Sequence, residues 1–333
     1  MQNIYPFKKY YLDIDELIES AEKYKPKYLY NIPKEIKSKN LEKYQGIFPK
    51  YFGGLSGNNL LIVTDVKESK INDITDYFTE ECRVKTCRRE YKELTPFEYF
   101  NKHKIDIATE LEKKGIEINF KSLNRYVENT YAPCSNYKLT YLLGILKHFK
   151  PKKWLDLSAG WGDRLCSAFI YGVEEYYAVD PSECLHPYYN EIINYFNERG
   201  YKTKAKVEKI GAEKVALKNQ YDFIFTSPPF FTFELYEESN EAQSTNLYKN
   251  IDTWLNDFLF VTIRKAWKHL EKNGVYAMYI EDKKEYPFIG KLKSFMSRLE
   301  GCKYQGVIYQ VFYDPRWVKK PYNIHTVYVW VKI

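Results

Sequence analysis

The chain has 333 residues, 44% hydrophobic and 29% charged, a balance that excludes wholesale disorder and leaves room for two ordinary domains or one large domain with an extension. Its 51 Lys and Arg against 44 Asp and Glu give a net charge of +7, too mild to announce a nucleic-acid binder unaided. The surplus is uneven: residues 1–120 hold 21 basic and 20 acidic side chains, leaving 30 against 24 for residues 121–333.

No apolar run nears the roughly 18–20 residues that cross a bilayer, so no membrane segment is expected. Met1 to Ile4 lacks a basic stretch followed by an apolar one, and the expected location is the cytoplasm. Six cysteines without a secretion signal are expected as reduced thiols. Cys82 and Cys87 have no second Cys or His pair at matching distance, and no metal site is expected.

In the first 120 residues, Phe52-Gly53-Gly54-Leu55-Ser56-Gly57 reads as a turn and Leu60 to Val63 as a strand. Thr95-Pro96-Phe97-Glu98 is a capping box with Pro at the first helical position, opening a helix towards Gly115. Residues 1–120 are expected to form an accessory α/β or helical segment and a region for target recognition.

From residue 121 the pattern becomes regular. Ser135 is expected to cap a helix from Asn136 to Lys150, with Leu139, Leu142, Leu143 and Leu146 at helical spacing and Pro151 closing it. Strand Lys153 to Leu157 follows, then a helix from Asp163 to Tyr171 ended by Gly172. Strand Glu175 to Val179 leads into a helix that reaches Arg199 and Gly200. Strands are expected at Lys204 to Ile210 and Tyr221 to Thr226, then a long helix from Asp252 to Glu271 and a strand from Val275 to Ile280. A helix from Phe288 to Glu300 precedes Tyr304 to Tyr313 and Ile324 to Val331, antiparallel neighbours at one edge because no crossover fits between them. Five parallel strands alternating with helices, together with that antiparallel pair, predict a Rossmann-like α/β sheet of seven strands over residues 121–333.

Three strand ends carry chemistry. The first runs into Asp156-Leu157-Ser158-Ala159-Gly160-Trp161-Gly162, where glycines before a helix start let a ligand approach the backbone closely. Leu165 replaces the third glycine of a dinucleotide fingerprint, which argues against a pyrophosphate. The second strand ends in Asp180, about 20 residues on, suited to accept both hydroxyls of a ribose. The fourth ends in Thr226-Ser227-Pro228-Pro229-Phe230. Two prolines must leave the sheet rigidly, fixing the Ser227 hydroxyl and the Pro228 carbonyl as acceptors beside an aromatic ring. Such a corner suits a planar exocyclic amine.

Together these motifs resemble the class I S-adenosylmethionine-dependent methyltransferases, and within them the nucleic-acid amino-methyltransferase group. Ala159-Gly160-Trp161-Gly162-Asp163-Arg164, Val179-Asp180-Pro181-Ser182 and Thr226-Ser227-Pro228-Pro229-Phe230 are similar to a subgroup of phages and large DNA viruses. The resemblance spans about Asn136 to Ile333. It implies that Asp156, Ser158, Ala159, Gly160 and Gly162 line the cofactor, S-adenosylmethionine. Asp180 and Pro181 would hold its ribose, Ala212 and Glu213 would flank its adenine, and Asn136 would make a further cofactor contact. Ser227, Pro228, Pro229 and Phe230 would bind the target amine, adenine N6 or cytosine N4, in DNA ahead of RNA. The alternatives are an RNA adenosine N6-methyltransferase and a catalytically silent module that binds nucleic acid or a protein. Arg164, Lys283, Lys284, Arg316, Lys319 and Lys320 are expected at backbone phosphates, with Trp317 stacking on a base. No large insertion separates the motifs, so target choice is expected from residues 1–120, from Phe231 to Asn250, or from a partner protein.

Overall fold

The computed structural model describes residues 4–29, 60–89, 92–131, 133–231, 234–237, 240–281, 285–313 and 322–333. The strands among them, in chain order, are β1 (Lys27–Leu29), β2 (Leu60–Asp65), β3 (Arg88–Arg89), β4 (Lys153–Asp156), β5 (Glu175–Val179) and β6 (Lys204–Glu208). They continue with β7 (Tyr221–Thr226), β8 (Glu234–Leu235), β9 (Leu270–Tyr279), β10 (Cys302–Tyr313) and β11 (Tyr322–Lys332). Nine of them form one sheet in the order β1-β2-β10-β11-β9-β7-β4-β5-β6, and β3 pairs with β8 in a separate ribbon. The run from β6 to β9 is parallel, and β11 lies antiparallel to both β9 and β10. This is the expected Rossmann-like α/β arrangement, and the chain reverses its winding at β4, where such sheets open a crevice at the carboxyl ends of their strands.

The strand count differs from the expected seven, and the terminal pair is not an edge. β2 continues the sheet beyond β10, pairing with it in parallel from Leu60↔Ile308 to Asp65↔Tyr313, and β1 pairs with β2. Successive residues of a strand face opposite sides, and Ile62, Val63 and Thr64 are all buried. The partners of β2 are β1 and β10, and on one face Leu60 and Ile62 join the core of helix Leu139–Phe149.

One face of the sheet is covered by helices Ile14–Glu22, Ile74–Thr86, Leu139–Phe149, Asp163–Tyr171 and His186–Glu198, sharing one core with Trp154, Tyr176 and Phe225. The other is covered by segment 251–268 and helix Ile289–Met296, around Trp254, Ile224 and Tyr276. The capping box forms as expected: Thr95 Oγ1 accepts from the Glu98 N–H at 3.3 Å, and Glu98 Oε2 accepts from the Thr95 N–H at 2.8 Å. Helix Pro96–Lys113 packs with helix Phe120–Thr130 and with Tyr5 and Phe7 in a smaller core of its own.

Several boundaries move. The helix expected from Asn136 starts at Leu139, and Ser135 does not cap it. Its first turn is capped from outside, since Asn72 Oδ1 accepts from Thr140 N at 3.0 Å and lies 3.2 Å from Thr140 Oγ1. The long helix is interrupted by a π-helical stretch, Trp254–Leu259, and ends at Lys268 rather than Glu271. Helix Ile289–Met296 stops short of Glu300, and β6 ends at Glu208.

The cysteines require a correction. Cys82 is joined to Cys184, and Cys87 to Cys134, with Cα separations of 5.9 and 6.2 Å, while Cys166 and Cys302 are thiols. Partners 102 and 47 residues apart meet only because helix Ile74–Thr86 lies against the segments that carry Cys184 and Cys134, a proximity that spacing along the chain does not reveal.

Candidate active site

A cavity of about 570 Å³ opens at the carboxyl ends of β4, β5, β7 and β9, within the size range of small-ligand pockets. Ser158 and Gly160 line it from the turn after β4, Asp180 and Pro181 from the turn after β5, and Ser227 to Phe230 from the corner after β7. The turn after β4 is built to be rigid. Asp156, wholly buried, accepts from Ser158 N at 3.2 Å, from Arg164 Nε at 2.6 Å and from the Tyr176 hydroxyl at 2.8 Å. Arg164 also donates to the Ser158 carbonyl, and Tyr189 to the Gly160 carbonyl. Gly160 and Gly162 sit at φ +60° and +97°, conformations that glycine adopts at little cost. A Cβ on Gly162 would lie 3.0 Å from Ile192 Cδ1, so that glycine also lets two helices pack closely.

Asp180 couples this turn to its own. Its carboxylate accepts from Gly160 N at 2.9 Å and from Ser182 N at 3.0 Å. Burial pushes its carboxyl above the ordinary range, against the pull of those two N–H groups. Ser158 couples the turn to the corner: its hydroxyl donates to the Ser227 carbonyl at 2.9 Å and sits 2.9 Å from Thr226 Oγ1. Beyond the corner, the Phe230 and Tyr279 rings meet edge to face with centroids 5.1 Å apart.

Four oxygens on cavity-lining residues are buried and have no hydrogen-bond partner among the described residues: Asn136 Oδ1, Asp163 Oδ1, Glu213 Oε1 and Gln243 Oε1. Carbonyl and carboxylate oxygens are acceptors, so the cavity is set up for a ligand rich in N–H and O–H donors. S-adenosylmethionine, with its ammonium group, ribose hydroxyls and adenine amine, fits that donor demand.

Burial raises the Asp163 carboxyl to about 7, outweighing the pulls of the Thr75 hydroxyl and then of the Arg164 charge. A carboxyl raised on folding contributes stability in full below its ordinary pKa and loses it as pH rises through the folded value, at about 1.4 kcal/mol per pH unit in between. Asp163→Asn is therefore expected to raise the melting temperature relative to the parent near pH 8 and to leave it unchanged near pH 3. Melting curves with the same difference at both pH values would contradict this. A buried acid that costs stability at neutral pH is more at home in a site than in a scaffold.

The cavity gathers Asn136, Ser158, Gly160, Asp180, Pro181, Ala212 and Glu213 with the four residues of the corner. Asp156, Ala159 and Gly162 shape the turn from behind and are not among the lining residues. Arg164 needs correction as a phosphate contact: it is 4% exposed and engaged with Asp156 and Ser158, so its role is internal. Lys283, Lys284, Arg316, Trp317, Lys319 and Lys320, like the turn at 52–57, lie outside the described residues.

Other lining groups were not singled out from the sequence. Glu281, beyond the end of β9, and His325, on β11, meet Tyr279: its hydroxyl lies 2.6 Å from His325 Nδ1 and donates to Glu281 Oε1 at 3.1 Å. Burial, then the Glu281 charge, keeps that phenol protonated. Glu281 was open to discovery from its place after a parallel strand, whereas His325 and Tyr279 are 46 residues apart. Glu237 and Asn240, from the loop after the corner, reach back to the Asp180 turn, bonding Ser182 Oγ at 3.0 Å and the Pro181 carbonyl at 2.9 Å.

No family model matches the chain, and no curated protein matches it. Among solved structures it is similar to TrmN of Thermus thermophilus, at 15% identity over 59% of this chain and 49% of that one, with a TM-score of 0.41. It is also similar to a methyltransferase of Pyrococcus furiosus, at 16% identity over 59% and 83% of the two chains, with a TM-score of 0.38. An rRNA methylase of Streptococcus thermophilus matches at 13% identity over 60% and 99%, with a TM-score of 0.35. Likeness at this level carries no argument about activity.

Proposed function

We propose that the chain is an S-adenosylmethionine-dependent methyltransferase acting on the exocyclic amino group of a nucleobase, adenine N6 or cytosine N4, in DNA ahead of RNA. The observation that carries this reading is adjacency. Ser158 bonds the corner through the Ser227 carbonyl at 2.9 Å, and turn and corner line one cavity. A ligand on the turn and an amine on the corner would therefore be neighbours.

When bound, S-adenosylmethionine supplies an electrophilic methyl group on a sulfonium. The chain's own residues do the rest. Asp180 keeps lone pairs for two ribose hydroxyls while holding the Gly160 and Ser182 N–H groups. The Ser227 hydroxyl and Pro228 carbonyl accept both N–H groups of the target amine, favouring the charge that develops on nitrogen. Phe230, braced by Tyr279, offers a ring face for stacking, worth about 1–3 kcal/mol per base. In a duplex the base must first leave the stack, at a cost of a few kcal/mol. Positioning is the main contribution. Residues 1–120 and the loop after the corner are the segments from which target choice would come.

Incubation with methyl-labelled S-adenosylmethionine and duplex DNA, single-stranded DNA, RNA or protein, followed by nucleoside mass spectrometry, tests the reading. Label on adenine N6 or cytosine N4 is expected. Label on protein, on a ring carbon, or nowhere would overturn it.

A further inference from the structure

Helix Ile74–Thr86, far from the glycine turn in sequence, stands directly behind it. A Cβ placed on Gly162 would lie 3.7 Å from Thr79 Cγ2 and 3.8 Å from Thr75 Cγ2. One turn along, Arg83 donates to the Cys134 carbonyl at 2.7 Å, fixing the segment that leads into Asn136. Between these contacts sits Asp76, 4% exposed. Its carboxylate receives Lys8 Nζ at 2.7 Å, an Arg83 guanidinium N–H at 2.5 Å and the Asn136 side-chain NH₂ at 2.5 Å.

The last of these bonds sets an orientation. A carboxylate flanked by two cations is ionised and can only accept, so the atom of Asn136 that faces it must be the amide nitrogen. The opposite atom, Oδ1, is then turned away from Asp76; it is buried, has no partner among the described residues, and belongs to a residue lining the cavity. Asp163 Oδ1, lining the same cavity, is likewise unpartnered. Two buried acceptors in one cavity suit a compact cation with several N–H groups, such as an alkylammonium.

We infer that Asp76 is a positioning residue of the donor site: by holding the Asn136 amide, it presents the Asn136 carbonyl oxygen to the ammonium group of the bound ligand. This rests on the reading of the cavity as an S-adenosylmethionine site and deepens it. A helix from the first 120 residues then helps to form the pocket that recognises the amino-acid end of the ligand.

The test is calorimetry on the full chain with S-adenosylhomocysteine and with its analogue lacking the α-amino group. Asp76→Asn, Asn136→Ala and the double variant are compared with the parent. Each single variant is expected to weaken S-adenosylhomocysteine roughly tenfold, the double variant no more than either single one, and none to change affinity for the desamino analogue by more than about twofold. Additive losses, or equal losses with the desamino analogue, would overturn the inference, because a merely structural role moves both ligands together. A parent that binds neither ligand would overturn the reading of the cavity itself. Should Asp76→Asn not fold, NMR of the parent decides. The Asn136 side-chain NH₂ signals, assigned by their loss in Asn136→Ala, are expected to be protected from solvent exchange, and rapid exchange would refute the bond to Asp76.

Discussion

Asp180→Ala is expected to weaken S-adenosylhomocysteine binding by about a hundredfold while the protein stays folded. Hydrogen bonds to a charged group are worth about 1.5–3 kcal/mol each, and about 1.4 kcal/mol is a factor of ten in affinity. The carboxylate would lose two ribose hydroxyls together. It would also release Gly160 N and Ser182 N, now held at 2.9 and 3.0 Å, so the glycine turn would lose one of its anchors and keep those from Asp156, Arg164 and Tyr189. Asp180→Asn keeps an acceptor but not the charge, and an intermediate loss is expected. Calorimetry measures both variants. An Asp180→Ala affinity within about twofold of the parent, with an unchanged melting curve, would remove Asp180 from the donor site.

Ser227→Ala is expected to do the reverse: turnover falls about 10–100-fold and donor affinity stays where it was. The separation follows from which atoms the serine uses. It meets the glycine turn through its backbone carbonyl, which accepts from Ser158 Oγ at 2.9 Å, and alanine keeps that carbonyl. Only the hydroxyl is lost, and the hydroxyl is the group assigned to the target amine. Single-turnover rates at saturating donor, beside calorimetry, tell the two apart. A parallel fall in donor affinity and rate would mean that the corner had collapsed, and an undiminished rate would show that the hydroxyl has no part in holding the amine.

The parallel half of the sheet was legible because its signals are local. Tyr221 to Thr226 carries an aromatic ring at every second position and stops just before two prolines, and Asp163 to Tyr171 lies between two glycines in the left-handed region. Such segments carry their own boundaries. What stayed hidden depends on partners far along the chain. The strand at Leu60 was expected but its place beside β10 was not, helix Leu139–Phe149 is capped by Asn72, and Asn136 is turned by Asp76, 60 residues away. Arg164 was misread for the same reason. An arginine beside a glycine turn resembles a phosphate ligand until burial places it on Asp156. The Tyr279, Glu281 and His325 cluster is assembled from two strands paired in antiparallel register, which no motif announces.

The position of β2 bears on how such a chain can be inherited. Trimming away its first 120 residues would strip the partner from Ile308 to Tyr313, baring a ladder of unpaired peptide groups with buried Val311 and Phe312 on it, the kind of open border that recruits other chains into aggregates. A gene fusion or recombination event with its junction near residue 120 would thus deliver a sticky fragment rather than a portable catalyst.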